Sequence, residues 1–142
     1  MPRLPNYAKR VTNLATVTTT TSTVVTLPVA DVYTFTLSTG TGTGTSPTLD
    51  CVIQNTPDGG TTWVNTTLKF TQATTAAAVI QITANQNRAM LTGSNAVAAT
   101  GSLLSKDVVL SPKVRFLYTI AGTNPSYATV TMDVFAVVAA DN

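Results

Sequence analysis

The sequence predicts an all-β fold: an antiparallel β-sandwich of jelly-roll type with seven or eight strands, preceded by an extended N-terminal arm. Three observations carry this prediction. Threonine occupies 30 of the 142 positions, and its β-branched, half-polar side chain favours a pleated strand and tolerates either face of a sheet. Apolar residues recur at every second position in several runs, the period of a half-buried strand. Clusters of Gly, Pro, Asn and Asp separate those runs, and no segment carries a helical period. Several short alternating strands argue for a sandwich, with a closed barrel as the structural rival.

The elements follow in order. Residues 1–12 hold Pro2, Pro5 and the cations Arg3, Lys9 and Arg10 without hydrophobic periodicity, so they are expected as an extended arm, either a frayed terminus or a segment that lies on a partner surface and orders on binding. Residues 13–142 are expected to form one domain, a size that buries a single core without staples. Val11 to Leu27 is dominated by threonine and reads as one weakly patterned strand ending at Pro28, of the kind found at sheet edges. Val29 to Ser38 alternates, with Tyr33, Phe35 and Leu37 on one face. Gly40 to Thr45 places glycine at every second position and reads as a flexible connection; no lysine or helix follows that would make it a phosphate loop.

Thr48 to Asn55 alternates again, with Leu49, Cys51 and Ile53 on a buried face, which makes Cys51 a small buried hydrophobe. Thr56 to Gly60 is a tight turn joining a hairpin: proline presets φ, aspartate bonds back to the backbone and glycine supplies φ > 0. Trp63 follows and is expected in the core. Thr66 to Thr75 ends that strand, and Ala76 to Thr83 supplies another. Asn85 to Ser105, holding Arg88, reads as a long loop able to carry contacts, with room for one helical turn at Ala96 to Ala99. Val114, Phe116, Tyr118 and Ile120 share the inward face of the next strand, and Gly122 to Pro125 reads as a second strong turn. In the last strand Ala128, Val130, Met132, Val134, Ala136 and Val138 share one face, while Phe135 and Val137 interrupt the polar face and mark an outer contact.

Composition narrows the function. Charged residues make up 10% of the chain, against about 25% in ordinary domains, and a low-charge surface suits a protein locked in an assembly. The net charge of +2 lacks the clustered basic face of direct nucleic-acid binding. The longest apolar run, Val134 to Ala140, falls far short of the roughly 20 residues that span a bilayer, and no signal peptide is read at the N-terminus, so synthesis in a cytoplasm and no membrane partner are expected. Histidine and glutamate are absent. A serine or cysteine nucleophile therefore has no imidazole to activate it, and the scattered aspartates form no acid–base pair. No enzyme, cofactor or metal site is expected.

One resemblance goes further. Gly44 to Asp50 reads Gly-Thr-Ser-Pro-Thr-Leu-Asp, a strand then ends at Gln54, and Asp58 to Trp63 reads Asp-Gly-Gly-Thr-Thr-Trp. Phe70-Thr71-Gln72 follows, and Arg115 stands ahead of Gly122-Thr123-Asn124-Pro125-Ser126-Tyr127. In these residues, spread between Asp31 and Val138, the chain resembles a family of tailed-bacteriophage structural proteins. The resemblance implies a virion component, a head decoration (cement) protein on the outer surface of the capsid. Its partners would be the major capsid protein and further copies of itself, as a trimer or dimer. Arg3, Lys9 and Arg10 of the arm, Arg88 of the loop, and Phe135 and Val137 of the last strand are the expected partner contacts. The alternatives are a head–tail connector or tail component, and a carbohydrate-binding β-sandwich on the virion.

Overall fold

Strands of threonine, valine and isoleucine cannot satisfy their backbone groups alone, so the architecture follows from which strand can pair along the greatest length. The computed structural model describes residues 7–86, 103–107 and 109–137. Among them are eight strands: β1 (Tyr7–Val17), β2 (Thr21–Thr26), β3 (Val32–Thr39), β4 (Gly42–Asn55), β5 (Val64–Lys69), β6 (Ala78–Asn85), β7 (Leu103–Asp107) and β8 (Lys113–Val137). They form one sheet in the order β5-β4-β8-β3-β6-β7, with β1 and β2 also paired to β8. Pairing is antiparallel except between β6 and β7, which run parallel from Gln81 opposite Leu103 to Asn85 opposite Asp107.

β8 organises the molecule. Its first half pairs with β4, from Val114 opposite Asn55 to Tyr127 opposite Gly42, and with β2 from Lys113 to Tyr118. Its second half pairs with β3 from Val130 to Val137 and with β1 from Tyr127 to Ala136. Only Gly40 and Thr41 separate β3 from β4, and the Gly40 N–H donates to the Thr129 carbonyl at 2.8 Å. β3 and β4 therefore follow one edge of β8, and β1 and β2 follow the other. The result is a long three-ribbon sheet, widened by β5 beside β4 and by β6 and β7 beside β3.

The ribbon bends midway, so its halves face each other. The Phe35 ring on β3 meets Phe116 on β8 edge-on, with centroids 5.6 Å apart. The Tyr118 hydroxyl of β8 donates to Thr12 Oγ1 of β1 at 2.8 Å. The fold is all-β and sandwich-like, with a sheet that is nearly barrel-shaped. Between its layers lie Tyr33, Phe35 and Leu37 of β3, Leu49, Cys51 and Ile53 of β4, Ile80 and Ile82 of β6, and Phe116, Tyr118 and Met132 of β8, all buried. Burial also pushes the Cys51 thiol well above its ordinary pKa.

The bend is made by the two segments read from sequence as a flexible connection and a turn. Gly42 to Thr45 belongs to β4, and Gly122 to Pro125 lies inside the unbroken β8. The β4–β8 register slips between Thr43 and Thr45 and again between Thr45 and Thr48. Positive φ occurs at Gly44 (100°) and Ser46 (50°) on one strand and at Gly122 (124°) and Asn124 (49°) on the other. A Cβ on Gly44 would lie 2.4 Å from the Asn124 carbonyl oxygen, and one on Gly122 would lie 2.8 Å from that of Ser46. These residues form a corner, where bulges carry strands from one layer into the other.

Three further expectations are corrected. The arm expected over residues 1–12 enters the sheet at Tyr7, because Ala8, Lys9 and Arg10 find backbone partners in Phe135, Val134 and Asp133. The single strand read over Val11 to Leu27 is two, since the chain passes from the second half of β8 to the first between Val17 and Thr21. Ala128, placed by alternation on the buried face, is exposed, because the parity of burial changes between Tyr127 and Val130. Most of the loop expected over 85–105, including Arg88 and the helical turn at 96–99, lies outside the described residues, although Leu103 to Ser105 open β7.

Candidate functional site

On the outer face of the second layer, the register of β1 with β8 sets Ala8 opposite Phe135, Lys9 opposite Val134 and Arg10 opposite Asp133. On the other side of β8, β3 sets Thr34 beside Phe135 and Thr36 beside Asp133. Ala8, Arg10, Thr36, Asp133 and Phe135 thus share one face, and with Lys9, which lies opposite the buried Val134, they line one shallow, open depression. Phe135 is 42% exposed. Arg10 forks onto Asp133, with Nε donating to Oδ1 at 2.8 Å and Nη2 to Oδ2 at 3.2 Å. The hydrogen bond and the charge of Asp133 raise the pKa of the guanidinium. An exposed pair of this kind adds little stability; the neighbouring Lys9 has no ion-pair partner among the described residues. Hydroxyl and amide groups complete the surface, where Thr34 and Thr83 share a hydrogen bond at 3.1 Å and Gln81 donates to Thr36 at 3.0 Å.

Of the six residues singled out from sequence, three meet here: Lys9, Arg10 and Phe135. Val137 sits half-buried opposite Val32, on the same side of the sheet as Phe135. Arg3 and Arg88 lie outside the described residues.

A second constellation was missed by sequence reasoning. Trp63 is not a core residue; it stands half-buried where the hairpin loop enters β5. The Arg115 guanidinium lies over its indole, 4.9 Å from the ring centroid. Arg115 Nε donates to Gln54 Oε1 at 2.7 Å, and Gln54 Nε2 donates to Asn65 Oδ1 at 2.7 Å. Gln54 and Asn65 are direct cross-strand partners, as are Gln54 and Arg115, so the sheet register itself assembles the network. The alternation rule failed because Trp63 precedes the first paired residue of β5 and has no strand parity to obey.

The loop beneath is rigidly closed. Asp58 Oδ1 accepts from the Thr56 hydroxyl and from the N–H groups of Thr61 and Thr62, at 3.0, 3.0 and 2.7 Å. These donors, Thr62 first, lower the carboxyl to about 2. Lys113 Nζ reaches the Gly59 carbonyl at 3.2 Å. Among the described residues no three His, Cys, Asp or Glu side chains gather as metal ligands. Comparison with protein-family models, with curated proteins and with solved structures gives no match.

Proposed function

We propose that the chain is a structural virion protein that decorates and stabilises a bacteriophage capsid, binding major capsid subunits through the outer face of β1, β8 and β3. The observation that carries this reading is the convergence of Lys9, Arg10 and Phe135 on one surface. A flat sheet face with one exposed aromatic, a satisfied ion pair and hydroxyl groups suits docking on another protein: the aromatic supplies an anchor and the polar groups a rim. Weak contacts add through multivalency when protomers cluster as a trimer or dimer on the shell. The resemblance of the Gly44–Asp50 and Asp58–Trp63 motifs to those of tailed-phage structural proteins supports the same setting.

The test mixes purified, undecorated capsids with the protein and measures bound copies by co-sedimentation. Phe135→Glu, at an exposed position, is expected to keep the fold and lower capsid affinity by about tenfold or more, the order expected for one lost aromatic anchor. Full occupancy by that variant would refute the use of this face. Equal binding to tail-less capsids supports a head position, whereas binding that needs the tail favours the connector alternative.

A further inference from the structure

We propose that the corner formed by Trp63, Arg115 and Lys113 is a binding site for an anionic sugar unit, a pyranose bearing a carboxylate or phosphate. The inference does not rest on the capsid reading, since it concerns the opposite layer and is tested on the free protein.

The argument begins with how charge is distributed. The chain has eight cations. Among the described residues, ion pairs hold only Arg10 to Asp133 and Lys69 to Asp50. Lys113 and Arg115 sit two positions apart on β8, a spacing that puts both on one face of a strand, and neither has a carboxylate partner among the described residues. Both flank the chain's only tryptophan. Arg115 stacks on the indole. Lys113 and the indole both border Gly60, because a Cβ built there would lie 3.7 Å from Lys113 Nζ and 3.8 Å from Trp63 Cζ2.

Next comes preorganisation. The face of the Arg115 guanidinium is committed to Trp63 and its Nε to Gln54, a side chain only 7% exposed that is itself held by Asn65. The two Nη groups have no protein partner among the described residues. A guanidinium fixed in plane, with its terminal donors free, loses little rotamer freedom on meeting an oxyanion and can grip it bidentately. The one acid in the adjoining loop is turned to other work, since Asp58 Oδ1 accepts from the loop's own hydroxyl and N–H groups. The oxyanion would lie between the Nη groups and the Lys113 ammonium, and the half-exposed indole supplies a flat apolar surface for a ring. Thr61 and Asn65, both exposed, supply a hydroxyl and an amide at the rim. This combination of two cations, one flat aromatic and small polar groups matches an anionic sugar better than a bare anion or a neutral sugar.

Because Trp63 is the only tryptophan, its fluorescence reports the site directly. The wild-type protein is titrated with glucuronate, glucose 6-phosphate, glucose and inorganic phosphate. A saturable change with at least one anionic sugar is expected, with glucose and inorganic phosphate each about tenfold weaker or more, the scale of one charge-assisted contact. The two anionic arms tell a sugar acid from a sugar phosphate. Arg115→Lys is expected to weaken binding about tenfold by losing the fork and the stack. Lys113→Gln, which leaves the Arg115–Gln54–Asn65 network intact, is expected to weaken it several-fold and to reduce its salt dependence. No saturable response, an equal response to glucose, an equal response to phosphate alone, or tighter binding of an aspartate-rich peptide would each overturn the proposal.

Discussion

The buried hydrogen bond between Tyr118 and Thr12 offers the sharpest test of the fold, because it joins the two halves of the bent sheet. Tyr118 belongs to the first half of β8 and pairs with β4 and β2, whereas Thr12 lies on β1 opposite Met132 of the second half. Tyr118 is fully buried and Thr12 is 3% exposed. Their hydroxyl oxygens are 2.8 Å apart, and burial pushes the Tyr118 phenol far above its ordinary pKa. Tyr118→Phe leaves the Thr12 hydroxyl buried and unpaired, and Thr12→Val does the same to the phenol. Each single change is expected to cost about 1–3 kcal/mol, the desolvation penalty of an orphaned polar group. The double variant replaces both partners by apolar groups of similar shape and is expected to recover most of that loss.

Thermal unfolding sets the scale. At about 2 cal/mol/K per residue, the unfolding entropy of a chain this long is roughly 0.3 kcal/mol/K, so each kcal/mol lowers Tm by about 3 °C. Each single variant should fall by about 3–9 °C and the double variant should lie closer to wild type than their sum. The assay is a double-mutant cycle by urea unfolding and by scanning calorimetry, with fluorescence and circular dichroism compared to confirm one transition. Losses that simply add in the double variant would refute the coupling, and with it the facing of β1 onto the first half of β8.

Two other expectations follow from the corner and from the hairpin loop. Gly122→Ala places a Cβ 2.8 Å from the Ser46 carbonyl at φ 124° and is expected to cost at least about 2 kcal/mol, read as a lower urea midpoint; an unchanged midpoint would show that the corner relaxes freely. Asp58, lowered from 3.8 to about 2 by loop donors, binds its proton less readily in the folded state. Its stabilising contribution is therefore complete above the unfolded value and is lost as pH falls from about 4 toward 2. Asp58→Asn should flatten the Tm-against-pH curve in that window, and a curve of unchanged slope would remove Asp58 from acid unfolding.

Much of this fold is legible in the sequence wherever a strand is straight. The runs Tyr33-Phe35-Leu37 and Leu49-Cys51-Ile53 alternate in sequence and are buried in the structure, because period two alone decides which side chains face the core. The hairpin at Asp58-Gly59-Gly60 is legible for a local reason, since its turn chemistry is complete within a few residues. β1 and the division of β1 from β2 were not legible. The threonine run over Thr18 to Thr21 carries no turn signal, and the strand's partner lies more than 100 residues away in sequence. The Trp63 network was hidden similarly: Gln54, Asn65 and Arg115 are adjacent only through cross-strand register.

The glycine segments show how the two candidate faces come to be related. Gly and Asn at φ > 0 were read as strand ends because that is their commonest use in isolation. Here Gly44 and Gly122 lie in neighbouring strands at the same level, and each leaves room for the other strand's backbone. Paired in this way they bend two strands together without breaking either. The bend puts Arg10, Asp133 and Phe135 on the outside of one layer and Trp63, Lys113 and Arg115 on the outside of the other. In a sandwich those surfaces face away from each other. A protomer docked through the Phe135 face would therefore hold the Trp63 corner outward, so ligand binding there should survive docking. If instead capsids quench the response of Trp63 to glucuronate or glucose 6-phosphate, the docking surface lies on the β4–β5 layer, and the Phe135 face is the one left free.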